Sequence, residues 1–139
     1  MDYLEGALAA VSYGAVGFAL LGLGYLLVDL LTPGRLADLI WGENNPNATI
    51  VLSSGLLGTG LVITTAVLTS GEDVVEGLIS TAVFGLVGLV LMGISFLLLD
   101  MITPGRLGEI LVEPVLRPAA WVTATVHVVV GMIMAACIS

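Results

Sequence analysis

The sequence predicts an all-α, polytopic membrane protein: four transmembrane helices in two parallel two-helix repeats, with short interfacial helices after spans 1 and 3. Three observations carry that reading. The 139 residues are 58% hydrophobic and only 10% charged, with a mean hydropathy of +1.16, whereas a soluble globule is about 45–50% apolar and about 25% charged. Most of the chain consists of runs of about 20 apolar residues, the length of a bilayer-crossing helix. Finally, Asp29-Leu30-Leu31-Thr32-Pro33-Gly34-Arg35-Leu36 returns 71 positions later as Asp100-Met101-Ile102-Thr103-Pro104-Gly105-Arg106-Leu107.

Sliding the chain on itself by that offset needs no gap and matches about 19 of 68 positions identically. Asp2, Glu5, Gly6, Gly14, Gly17, Gly22 and Gly60 fall on Asp73, Glu76, Gly77, Gly85, Gly88, Gly93 and Gly131. The pattern reads as a tandem duplication, with repeat 1 over residues 1–70 and repeat 2 over residues 71–139.

Span 1 runs from Leu4 to Leu31, with an unbroken apolar core from Ala7 to Val28. At 1.5 Å per residue that core is about 33 Å long, enough to cross a bilayer with slight tilt. Thr32-Pro33-Gly34 stops it, and Pro-Gly suits the central positions of a type II turn. Arg35 to Trp41 then reads as a short helix in the membrane interface, with Leu36, Leu39 and Ile40 on one face and Asp38 turned away. Gly42 to Asn47 is a polar turn in which Asn47 can cap the next helix.

Span 2, Ala48 to Thr69, is rich in small and hydroxyl residues, including Ser53, Ser54, Gly58 and Thr59. A turn at Ser70-Gly71-Glu72-Asp73 leads to span 3, Val74 to Ile102, which repeats span 1. A second short helix follows with Leu107, Ile110 and Leu111 as its apolar face, and span 4 runs from Ala119 to Ile138. Each repeat holds two spans, so both enter the membrane in the same direction, and a pseudo-two-fold axis along the membrane normal is expected.

All three arginines (Arg35, Arg106 and Arg117) lie on the side of the two Pro-Gly turns, and there is no lysine. The positive-inside rule puts that side, with Trp41 and Trp121, in the cytoplasm of a cell-membrane protein and both termini outside. The outer side then carries Asp2, Glu5, Glu72, Asp73 and Glu76. The opening Met1-Asp2-Tyr3-Leu4-Glu5 has no basic segment, so no cleaved signal peptide is expected. The net charge of −8 fits either a sparsely charged membrane protein that kept its acids or a host with a salty cytoplasm. It leaves no basic patch for nucleic acid. Cys137 is the one cysteine, which excludes an internal disulfide and a multi-thiolate metal site.

The duplicated helix pair, the glycine-rich first spans and the short interfacial turns together resemble the "domain of unknown function 350" family, over nearly the whole chain. These are small bacterial and archaeal cytoplasmic-membrane proteins built from tandem two-helix repeats. The resemblance implies a polytopic membrane protein without an assigned reaction, and it carries over no functional residues.

Asp29 and Asp100 sit one turn inside the ends of their helices, where a carboxylate opposes the negative helix C-terminus and is too short to snorkel. Two readings stand: a structural clasp in which Arg35 and Arg106 pair with the aspartates, or an ion or proton site flanking the symmetry axis. His127 lies near mid-span without a counterpart. It either bonds a hydroxyl (Ser53, Ser54 or Thr59) or, with Met134 and Cys137 on its helix face, joins a soft-metal or haem site. Gly6, Ala10 and Gly14 recur as Gly77, Thr81 and Gly85, a small-residue spacing that suits either packing of span 1 on span 3 or an oligomer interface. Asn47-Ala48-Thr49 matches a glycosylation sequon but falls on the cytoplasmic side.

No nucleophile–base pair, phosphate loop or nucleotide signature is present, so neither an enzyme nor a cofactor or metal is expected. No span has an interior proline: Pro33, Pro46, Pro104, Pro114 and Pro118 all lie in or beside the turns. The expected protein is a homo-oligomeric scaffold or anchor in the lipid bilayer that recruits a soluble cytoplasmic partner. The alternative is a cation or proton channel or transporter subunit using Asp29 and Asp100, with Thr59 lining the path.

Overall fold

The computed structural model describes residues 3–71 and 73–139; Asp2 and Glu72, two of the acids assigned to the outer side, lie outside the described residues. In chain order the elements are α1 (Tyr3–Leu31), a π-helical turn (Asp38–Gly42), α2 (Pro46–Leu68), α3 (Val74–Ile102), α4 (Leu107–Leu111) and α5 (Pro118–Ile138). α1, α2, α3 and α5 are each long and apolar enough to cross a membrane. Their bounds agree with the expected spans to within two residues.

The helix ends follow from local chemistry. Pro46 opens α2 behind Asn45, whose Oδ1 accepts the Ala48 N–H at 3.0 Å. The cap is therefore Asn45 and not Asn47, because proline at the first helical position puts the cap one residue before it. Asp73 caps α3 by accepting the Val75 and Glu76 amides at 2.8 and 3.1 Å. Gly34 and Gly105, at φ +90° and +92°, take the left-handed conformation that the Pro-Gly turns after α1 and α3 require.

The two halves do not fold as separate bodies, since α2 packs against α1, α3 and α5. α2 and α5 run parallel and touch through backbone: a Cβ on Gly131 would stand 2.6 Å from the Gly58 Cα. α1 runs antiparallel to α2, with Gly17 against Ile63 and Gly24 against Thr59. α1 and α3 are parallel, with Gly77 under Tyr13, Gly85 under Leu20 and Gly93 under Leu27.

That last contact departs from the expected two-fold axis. A two-fold would lay Leu91, 71 positions after Leu20, over Gly14 as Leu20 lies over Gly85. Instead, nothing stands within 4 Å of a Cβ placed on Gly14, and Leu91 is 37% exposed. The physical reason is shape. A row of large side chains fits a row of glycines, so once α1 presents its large residues, α3 meets them with its glycines.

At the turn end the short elements lie across the bundle. Leu36, Leu39, Leu107 and Leu111 are buried, Ile40 and Ile110 half-buried, and Asp38 exposed, which is the facing expected from spacing. Leu36, Leu107 and Leu111 pack with Val28, Val51, Phe96 and Ala120 into the apolar core of this end. Trp41 and Trp121 stay exposed.

Candidate functional site

The chemistry-bearing residues gather in two places: the turn end, and a polar cluster midway along α2 and α5. At the turn end, the Asp29 carboxylate accepts the Leu36 N–H at 2.7 Å, and the Asp100 carboxylate accepts the Leu107 N–H at the same distance. Leu107 begins α4, so Asp100 satisfies an otherwise orphaned donor of that helix from seven residues upstream. The geometry corrects the arginine clasp. Among the described residues no ion pair joins Asp29 to Arg35 or Asp100 to Arg106. The tight turn aims the carboxylate at the amide that follows the arginine, and the guanidinium projects outward. Arg35 and Arg106 are exposed; Arg106 approaches Glu109 at 3.8 Å, and Arg117 pairs with Glu113 at 2.6 Å.

Beside these turns lies a pair of residues whose role the sequence did not reveal. Asn45 and Asn47 are almost wholly buried. The Asn45 amide donates to the Val112 and Glu113 carbonyls, both at 3.0 Å. The Asn47 amide donates to Glu113 and Val115 at 2.9 and 2.8 Å, and its Oδ1 accepts the Arg117 N–H at 2.7 Å. Together they tie the loop of residues 112–117 to the start of α2 and satisfy backbone that no helix can pair. The available signal was two asparagines flanking one proline at a membrane boundary, where an unpaired amide is costly. With both its N–H groups engaged, the Asn47 amide is not presented to a glycosylating enzyme.

In the helical cluster, His127 is buried and its Nδ1 lies 3.2 Å from the Ser54 Oγ. The Ser54 Oγ also lies 2.9 Å from the Val51 carbonyl, to which it donates. Of the three hydroxyls considered, Ser54 is the partner. Ser53 is exposed, and Thr59 donates to the Gly55 carbonyl at 2.8 Å with the Met92 sulfur 3.7 Å away. Gly55 lies beside the ring at ordinary contact distance, whereas a Cβ on Gly58 would stand 2.6 Å from the His127 carbonyl oxygen, so Gly58 makes room for the α5 backbone at the histidine. Met134 is buried further along α5, while Cys137 is exposed and lies ten residues, about 15 Å, along the helix from His127. These side chains do not converge. Of the small residues, Gly77 and Gly85 are buried at the α1–α3 contact, whereas Gly6 and Gly14 are half-buried.

A family profile described as Domain of Unknown Function (DUF350) matches residues 2–138. The chain belongs to that family. Its relatives include a UPF0719 transmembrane protein of Mycolicibacterium paratuberculosis, 38% identical over 136 residues, which are 98% of this chain and 90% of the relative. UPF0719 transmembrane proteins of Mycobacterium bovis and Mycobacterium tuberculosis are each 37% identical over the same shares of both chains. No solved structure matches significantly. The DUF350 membership and the relatives' names accord with the four apolar helices, and the protein is an integral membrane protein of an uncharacterised family.

Proposed function

We propose that this DUF350 protein is a non-enzymatic scaffold or anchor of the cell membrane, built from repeats 1–70 and 71–139 and assembling as a homo-oligomer. Its turn end faces the cytoplasm and recruits a soluble partner; its termini lie outside. The observation that supports this best is the disposition of the repeated motif. Each aspartate is tied to a backbone amide inside its own turn, which releases Arg35 and Arg106 to the surface. The carboxylates thus serve the turn rather than a permeation path, and the exposed arginines, with Trp41 nearby in sequence, supply a surface for a protein partner. The arginine bias supports the orientation.

The test is reconstitution. Purified protein in liposomes should pass no cation current above background. A current that survives purification and vanishes in Asp29→Asn/Asp100→Asn would overturn the scaffold in favour of a cation or proton channel. In the native host, one soluble protein should cross-link to the wild type and be lost in Arg35→Glu/Arg106→Glu at unchanged membrane abundance. An identical cross-linking pattern in the variant would remove the arginine surface.

A further inference from the structure

In a bilayer, exposed leucine says nothing by itself, because lipid is as apolar as leucine and packing rests on close van der Waals fit. What is informative here is that one interface is made once although the chain encodes both of its halves twice. On α1, Tyr13, Leu20 and Leu27 recur every seventh residue and lie over Gly77, Gly85 and Gly93 of α3. The large residues have counterparts on α3 at the same offset of 71: Phe84, Leu91 and Leu98. These are 38%, 37% and 56% exposed. The glycines have identical counterparts on α1: Gly6, Gly14 and Gly22. A Cβ on Gly14 or Gly22 would meet nothing within 4 Å. Each molecule therefore keeps an unused large-residue row on α3 and an unused glycine row on α1, and the structure already shows how such rows fit.

We infer that a second copy of this chain occupies the glycine row: Leu91 and Leu98 of one molecule lie over Gly14 and Gly22 of the next, repeating between molecules the α1–α3 contact made within each. The interface is head-to-tail, joining two different faces, so every added copy presents a free row of each kind. That differs from a two-fold dimer, in which one face meets itself. The inference rests on the proposed homo-oligomer and names its contact.

Engineered cysteines separate the possibilities, all in a Cys137→Ala background in native membranes under mild oxidation. Leu98→Cys/Gly22→Cys should give a ladder of disulfide-linked multimers, and each single variant should give none. Leu27→Cys/Gly93→Cys, across the contact seen within one molecule, should cross-link without a ladder and so certifies the reaction. Gly14→Leu should abolish the oligomer in native mass spectrometry while the monomer keeps its helical circular dichroism, because the site is open within the molecule. Gly85→Leu, which collides with Leu20, should instead lose the fold. An oligomer that persists without the Leu98–Gly22 ladder, or dimers from the Gly22→Cys single variant alone, would overturn the head-to-tail contact and leave the homo-oligomer standing. A wild-type protein that is monomeric by native mass spectrometry in a mild detergent and in lipid nanodiscs would overturn both.

Discussion

The Asn47 Oδ1 accepts the Arg117 N–H at 2.7 Å, so a side chain at the start of α2 fixes the residue that precedes α5. With the two Asn47 N–H bonds to Glu113 and Val115, one buried amide holds three backbone groups of the opposite loop. Asn47→Ala strands the Val115 carbonyl and the Arg117 N–H, while the Glu113 carbonyl keeps its bond from Asn45, and buried unpaired groups cost about 1–3 kcal/mol each. Thermal unfolding in detergent should show Asn47→Ala among the most destabilising single substitutions at the turn end. A loss no larger than that of an exposed neighbour such as Thr49→Ala would contradict the tie.

The aspartates act as caps, and caps depend on an acceptor oxygen rather than on charge. Asp29→Asn and Asp100→Asn should each change stability little, while the alanine variants should lose about 1 kcal/mol. Arg35→Gln should be neutral, and Asp29→Ala with Arg35→Gln should be additive. A coupling energy above about 1 kcal/mol in that double-mutant cycle would restore the arginine clasp.

Glycines of similar sequence setting should respond oppositely. Gly131 abuts the Gly58 backbone, whereas a Cβ on Gly60 meets nothing within 4 Å. Gly131→Ala should force α2 and α5 apart and lower the melting temperature. Gly60→Ala should hold or raise it, since alanine is about 1 kcal/mol better than glycine within a helix. Equal shifts in both variants would mean that the α2–α5 contact is looser than described.

Orientation is read by accessibility. Glu43 and Gly71 are exposed at opposite ends of the bundle. In a Cys137→Ala background, Gly71→Cys should react with an impermeant thiol reagent in intact cells and Glu43→Cys only after permeabilisation. The reverse pattern would invert the proposed topology.

The number, bounds and alternating relative directions of the spans, the Pro-Gly turns and the apolar faces of the short elements were legible along the chain. Each of these rests on local rules: run length against bilayer thickness, the left-handed conformation open to glycine, and spacing along a helix. Which faces of the spans meet emerged only from their packing, because the four long helices carry no amphipathic stripe to read. Their buried faces are marked by residues such as Gly58, Thr81, Gly85 and His127, yet equally small or polar positions such as Gly22 and Ser53 face outward. The partner of Asp29 was hidden for a similar reason. Arg35 is the nearest opposite charge in sequence, but the backbone path through Pro33 and Gly34 presents the Leu36 amide to the carboxylate first. Asn45 and Asn47 read as turn residues until the loop they hold, 66 to 70 positions away, came beside them in the fold. Pairing over such separations depends on how the helices pack, which no local pattern encodes.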